Sequence, residues 1–238
     1  IGLFSGGLDS VLSCKIICDL GFDVIALNFS TIFQKEKNYE SLPADYFFDI
    51  TAGDFFIKQI DINSEFLKML ITPQYGYGKN INPCIDCKIL FIKYALKMMR
   101  EINAEFVFTG EVVGQRPKSQ KKNTLELIDK RVESNGYLLR PLSAKLLKPT
   151  VPELQGIIDR NKLFDFSGRS RKPQTELAQR LGVRNYGQPA GGCLLTDPIF
   201  SDKLKFLIAN NLFTFKNILF LKLGRNFWLA DNKAQLVI

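Results

Sequence analysis

Three short stretches of this chain combine residue types that do chemistry. The first is SGGLDS, two glycines between serines with an aspartate inside, placed directly after the apolar run Ile1–Phe4. A strand that enters such a loop and leaves it as a helix aims several backbone N–H groups and the positive end of a helix dipole at one point, which favours a phosphate. Gly6 and Gly7 let the backbone approach an anion without a Cβ in the way, Ser5 and Ser10 add hydroxyl donors, and Asp9 is placed to hold Mg²⁺ or to polarise the loop. Ser5, Gly6, Gly7, Leu8, Asp9 and Ser10 are therefore the candidate phosphate cradle. The stretch is not a Walker loop, because the G-K-[ST] ending is absent. The plain alternative is a glycine turn that only caps a helix.

The second set is the cysteines. Cys14 and Cys18 are four apart on an apolar helix and read as core packing. Cys84 and Cys87 differ, because NPCIDCK presents them at a helix entrance beside Asp86 and Lys88, where the helix N-terminus stabilises thiolates. Cys193 sits in PAGGCLLTDP, exposed by two glycines in a tight turn. With Asp9, these three cysteines are the candidate catalytic residues, and their thiolates admit three uses. A zinc site would need a fourth ligand from a helix cysteine or a carboxylate. Persulfide or disulfide chemistry needs no metal, although a lasting Cys84–Cys87 disulfide is disfavoured in the cytoplasm. An iron–sulfur cluster on Cys84, Cys87 and Cys193 would leave one iron open to hydrosulfide or substrate.

The third set is polar and basic. Thr109, Gly110 and Glu111 follow the apolar run AEFVF and are expected to face the same crevice as the first loop. Gln115, Arg116 and Lys118 come next and suit phosphate, of a nucleotide or of RNA. Arg169, Arg171 and Lys172, ahead of an amphipathic helix carrying Arg180, suit phosphate contacts too. The alternative for all of them is a solvated polar surface.

Bulk composition narrows the chemistry. The 238 residues contain no histidine, which excludes Ser-His-Asp triads, Cys-His dyads and histidine-containing zinc sites. Net charge is +8, and the excess is confined to Val112–Ala190, where 16 Lys and Arg face 7 Asp and Glu. A polyanionic partner such as nucleic acid is the natural reading. No apolar run approaches a membrane span and the start lacks the features of a signal peptide, so no membrane association is expected and the cytoplasm is the expected compartment. Oligomeric state is left open by the residues.

The elements that must position these groups alternate. Ile1–Phe4, FDVIALNFS, FFIKQIDI, AEFVFTG and GYLLRPLS read as strands, Leu8–Leu20 as a helix ended by Gly21, and INPCIDCKILFIKYALKMMREI as a long helix entered through Pro83. Alternation of this kind predicts an α/β fold with a doubly wound parallel sheet and a ligand at the carboxyl ends of its strands. The expected organisation is a nucleotide-binding domain over 1–148, a basic helical extension carrying the third cysteine over 149–205, and a short C-terminal tail over 206–238. In the extension, VPELQGIIDRN and KPQTELAQRLG read as helices; in the tail, ILFLKLG and NFWLAD read as strand-like pieces without a core of their own.

FSGGLDS resembles the signature of the PP-loop ATP pyrophosphatases, which cleave ATP between its α and β phosphates. The resemblance implies an adenine nucleotide alpha hydrolase-like, Rossmann-like fold, an adenylated intermediate, pyrophosphate held by Ser5–Ser10, and a second nucleotide-contacting turn at Thr109, Gly110 and Glu111. A PP-loop followed by C-x-x-C and one later cysteine is similar to the cluster-dependent tRNA thiolases. NPCIDCKILF also looks like a segment of the tRNA 2-thiouridylases, in which the cysteines matching Cys87 and Cys193 are the catalytic pair; this chain departs from them by carrying Cys84 where they have an aspartate. With RPLSAKLL, GRSRK and AGGCLLTDP, residues 1 to about 205 resemble stand-alone PP-loop proteins that are similar to 4-thiouridine synthetases, and the tail resembles the start of a small RNA-binding module. The resemblance implies an ATP-dependent tRNA sulfurtransferase with ATP, Mg²⁺ and a 4Fe-4S cluster, a tRNA substrate held by Arg116, Lys118, Arg169, Arg171, Lys172 and Arg180, a hydrosulfide or persulfide carrier as sulfur donor, and 4-thiouridine favoured over 2-thiouridine as product. Two rivals stay open: a PP-loop ligase that adenylates a small carboxylate with its cysteines on zinc, and a nucleotide-gated RNA-binding protein without catalysis.

Overall fold

The structure, a computed structural model, describes residues 1–34, 45–50, 53–184, 186–187, 193–229 and 234–237. In chain order the elements are β1 (Gly2–Leu3), α1 (Leu8–Asp19), β2 (Ile25–Ser30), β3 (Asp45–Ile50), β4 (Gly53–Asp61), α2 (Asn63–Ile71), α3 (Cys84–Glu101), β5 (Val107–Thr109), α4 (Lys122–Arg131), β6 (Leu138–Leu139), α5 (Val151–Leu154), α6 (Lys172–Arg180), α7 (Pro198–Ala209), α8 (Phe215–Leu221), β7 (Asn226–Leu229) and β8 (Ala234–Val237). They gather into two compact units: Ile1–Phe29, Ser41–Asp61 and Ile85–Ala190 in the first, and Ser30–Glu40, Ile62–Cys84 and Gly191–Ile238 in the second. The boundaries expected near 148 and 205 do not coincide with these.

The first unit is an α/β fold around one sheet of order β3-β4-β2-β1-β5-β6. β1 pairs parallel with β2 on one side and β5 on the other, and β5 pairs parallel with β6. β1 is central, and a Cβ added at its Gly2 would fall 2.5 Å from the Phe108 ring, so the strand accepts no larger residue without repacking. β3 adds an antiparallel edge, in register from Asp45↔Lys58 to Ile50↔Gly53. That hairpin escapes the sequence reading because an alternating βα pattern leaves no place for a strand not followed by a helix.

α1 is apolar nearly all round because it is buried nearly all round, packed against β1, β4, β5 and α6. Cys14 is wholly buried within that packing, as expected, and Lys15 is tolerated there by its ion pair with Asp19. The same core takes in Ile158, Leu163, Leu177, Ala178 and Val183, so the stretch expected as an extension is in large part a layer of the α/β unit. VPELQGIIDRN is α-helical only over α5, which Thr150 and Glu153 close with a reciprocal capping box, and its last two residues enter a 3-10 turn, Arg160–Lys162.

In the second unit, Phe33 is fully buried between Phe66 of α2, at 5.6 Å between ring centroids, and Phe200 of α7, at 6.1 Å. α7 therefore shares a core with residues from much earlier in the chain, which local patterning does not reveal. ILFLKLG, expected to be strand-like, lies mostly in the helix α8: Thr214 accepts the Asn217 N–H at 3.2 Å as a cap, and Ile218 and Leu221 share the buried face. NFWLAD supplies β7, paired antiparallel with β8.

Candidate nucleotide site

The glycine loop leaves β1 and enters α1 as the spacing requires. Gly6 takes φ +69°, a conformation that favours glycine, and Gly7 is the N-cap of α1 with no side chain closing the helix end. Ser10 ties the loop together: its hydroxyl donates to the Gly7 carbonyl at 2.8 Å and accepts from the Ser5 N–H at 3.3 Å. The two serine hydroxyls are 3.3 Å apart. Gly187 donates to the Gly6 carbonyl at 2.7 Å, a partner that sequence reading missed because nothing local marks it.

Gly110 explains why a glycine follows β5. A Cβ there would lie 2.6 Å from the Asp9 carbonyl carbon and oxygen and 2.7 Å from the Ser10 nitrogen. The second turn is thus pressed directly onto the first turn of α1.

Asp9 is the polar focus. Gln115 donates from Nε2 to Asp9 Oδ2 at 2.7 Å, and Arg171 approaches the same oxygen at 4.0 Å. Asp9 Oδ1 is buried with no hydrogen-bond partner among the described residues. Burial pushes the Asp9 carboxyl above its ordinary value of 3.8, opposed by the Gln115 hydrogen bond and by the charges of Arg171 and Arg116. An unpartnered carboxylate oxygen beside an uncapped helix N-terminus fits a phosphate and the divalent cation that accompanies it: backbone N–H groups and Ser5 would hold the anion and Asp9 the Mg²⁺. Gln115 is itself buried.

Glu111 is occupied elsewhere. Its Oε1 pairs with Lys88, and its Oε2 accepts from Arg140 Nε at 2.9 Å and Thr109 Oγ1 at 3.2 Å. Arg140 in turn grips Asp129 with both terminal nitrogens, at 3.0 and 2.7 Å. Burial alone would raise the Glu111 carboxyl, but Lys88 and Arg140 overcome it and bring the group down to about 2. Thr109 and Glu111 therefore form a buried anchor that ties the second turn to α3 and β6. The arginine in the apolar run YLLRPL was the sequence signal for such a pair, because a buried guanidinium requires a carboxylate.

Arg116, Arg169, Lys172 and Arg180 are exposed, Arg171 and Lys118 half-buried. Lys172 lies 3.9 Å from Glu176 on the surface of α6. Of the expected RNA contacts, Arg171 comes within 4.0 Å of Asp9 in the nucleotide loop, and the charge of Arg116 also acts on that carboxyl.

Cys84 and Cys87 lie on the first turn of α3, three apart and both half-buried. Cys193 precedes a short 3-10 turn in the second unit; the Leu194 N–H donates to the Phe33 carbonyl at 2.8 Å. Burial pushes the Cys193 thiol up to about 11; the Leu195 N–H works against this and Cys84 adds to it. Cys193 rests as a thiol at neutral pH. Among the described residues no three Cys, Asp or Glu side chains are grouped as metal ligands. The expected 4Fe-4S cluster on Cys84, Cys87 and Cys193 finds no support in such a group among the described residues. Nor is any helix of the described residues long and apolar enough to cross a membrane.

Residues 1–159 match the family described as the tRNA methyl transferase HUP domain. Among curated proteins the chain is similar to the tRNA-specific 2-thiouridylases of Chlorobaculum tepidum, at 24% identity over 77% of this chain and 48% of that protein, and of Chlorobium phaeovibrioides, at 26% over 78% and 48%. The enzyme of the same name from Burkholderia ambifaria is 21% identical over 77% of this chain and 50% of its own. The chain spans about half the length of the curated relatives it matches.

Proposed function

The chain belongs to the tRNA methyl transferase HUP domain family, a PP-loop family, and from that premise we propose that it is an ATP-dependent tRNA thiolase working from the loop Ser5–Ser10. The observation that carries this reading is the joint built at Asp9: an uncapped helix N-terminus, a glycine-only contact from Gly110, and a carboxylate oxygen left without a partner. The family description names methyl transfer and the relatives are named for 2-thiouridine; tRNA is common to both.

In this proposal the loop N–H groups and Ser5 hold the departing pyrophosphate, and Asp9 keeps the loop's cation in place. Mg²⁺, when bound, neutralises charge building on the phosphates. A uridine carbonyl oxygen attacks the α-phosphorus of ATP and pyrophosphate leaves, so the oxygen becomes part of a good leaving group, AMP. A persulfide carrier passes its outer sulfur to one of Cys84, Cys87 and Cys193 by thiol–persulfide exchange and is left as a thiol; that cysteine persulfide attacks the activated ring carbon, AMP carries the oxygen away, and a second of the three thiolates attacks the inner sulfur, freeing the thiouridine and leaving a disulfide that a thiol reductant reopens. Hydrosulfide, as the alternative donor, attacks the activated ring carbon itself, losing its proton to solvent as AMP leaves, and needs no cysteine persulfide; no step is routed through an iron–sulfur cluster. The names of the relatives favour the C2 carbonyl, in place of the C4 position expected from sequence. Exposed Arg116, Arg169, Lys172 and Arg180 supply phosphate contacts for tRNA, and the protein works on that substrate in the cytoplasm.

Pyrophosphate release measured with and without unmodified tRNA tests this. Release that depends on tRNA supports thiolation. ATP turnover indifferent to tRNA but stimulated by a small carboxylate would replace it with the ligase reading, and tRNA binding without pyrophosphate would leave a binding protein.

A further inference from the structure

Behind Asp9 lies a second layer that the nucleotide reading does not use. Gln174, on the inner face of α6 and 1% exposed, donates from Nε2 to Gln115 Oε1 at 3.1 Å, and Gln115 Nε2 donates to Asp9 Oδ2 at 2.7 Å. The direction of this chain is dictated by its end. An ionised carboxylate only accepts, so Gln115 must present its nitrogen to Asp9 and its oxygen to Gln174, which must answer with its own nitrogen. Gln174 Oε1 is left facing away, buried and unpartnered among the described residues, as is Asp9 Oδ1 at the other end. Two buried amides that served only packing would have no need of this order, and each unsatisfied oxygen costs stability. An arrangement that leaves both ends open while saturating one side of Asp9 orients a carboxylate.

We propose that Gln115 and Gln174 are positioning residues for the nucleotide loop, and that the relay Gln174→Gln115→Asp9 makes α6 the element that sets how Asp9 meets a bound nucleotide. The inference rests on the nucleotide-binding reading of the loop and goes beyond it by giving the basic helix a mechanical role at that site. α6 is fitted for this: Leu177 and Ala178 fix it in the core, while Arg171 brings a charge to Asp9 Oδ2 and Gln174, three residues on, holds the Gln115 amide that donates to the same oxygen. Occupying Oδ2 from the Gln115 side leaves Oδ1 as the oxygen for the ligand.

The test is a double-mutant cycle on the affinity for MgATP, measured by equilibrium dialysis on the full chain, with Gln174→Met, Asp9→Asn and the double variant. Methionine keeps the length and apolar contacts of glutamine but cannot donate. Acting through Asp9, Gln174→Met weakens MgATP binding about tenfold in the wild-type background and has no further effect once Asp9 is Asn. A packing role instead gives losses that multiply in the double variant, and that result overturns the proposal. Gln115→Met, run in the same cycle, supplies the answer should Gln174→Met fail to fold. Wild-type protein that binds no MgATP overturns the nucleotide reading and the relay with it, whereas failure of the relay alone shows as normal wild-type binding with independent single effects.

Discussion

Replacing Glu111 with Gln removes the one carboxylate shared by Lys88 and Arg140, and the cost follows from the geometry. Glu111 titrates at about 2 against an ordinary 4.5. At about 1.4 kcal/mol per tenfold change in proton affinity, that difference corresponds to about 3 kcal/mol of stability. Its sign is set by the depressed value: the contribution is complete above pH 4.5 and drains away as pH falls toward 2. Glutamine also leaves Arg140, only 2% exposed, with Asp129 as its remaining carboxylate. Breaking a buried pair from one side costs about 3–5 kcal/mol, so the two routes agree. Urea unfolding of wild type and Glu111→Gln at pH 7 should show a gap of about 3 kcal/mol, narrowing below pH 4.5. A variant as stable as wild type at pH 7, or a gap that stays constant through the acid range, would refute the assignment of Glu111 as a buried anchor.

Asp9→Asn should have the opposite effect on stability. A carboxyl raised by burial is destabilising once ionised, so the stability tied to Asp9 is present below its ordinary 3.8 and lost as pH rises through its higher folded value; the variant should melt above wild type at pH 7 and level with it below 3.8, while binding MgATP more weakly. Gly110→Ala forces a Cβ to within 2.6 Å of the Asp9 backbone; thermal melts should show a loss of about 1–3 kcal/mol, and nucleotide binding should fall with it. Arg169 and Arg180, both exposed, should each contribute a phosphate contact, so replacing both with Ala should weaken tRNA binding and reduce the slope of log affinity against log salt by about 2. An unchanged slope would remove α6 and its approach from the RNA surface.

Legibility in the sequence tracked how local each cause is. The glycine loop, α1, α3 and the parallel strands were readable because strand, loop and helix signals sit within a dozen residues of one another. Asp9 and Gly110 were readable as members of two loops at one sheet edge, but the pressure of one on the other was not, since it depends on the β1–β5 pairing. Gln174 was invisible for the same reason: an amide on an amphipathic helix means nothing until its partner 59 positions earlier is beside it. Glu111 looked like a ligand contact because its neighbours in sequence are polar; Lys88 and Arg140, distant in sequence, claim it. The cysteines were legible as a set by type, yet Cys87 falls in the first unit and Cys84 and Cys193 in the second, and spacing along a chain carries no information about that division.

The most direct test of sulfur transfer is nucleoside mass spectrometry of unmodified tRNA incubated anaerobically with the protein, MgATP, a persulfide donor and a thiol reductant, with pyrophosphate counted in parallel. A thiolated uridine formed with one pyrophosphate per sulfur, and lost in Cys193→Ser, is the expected result. Pyrophosphate released without any thiolated nucleoside, or thiolation that survives Cys193→Ser, would contradict it.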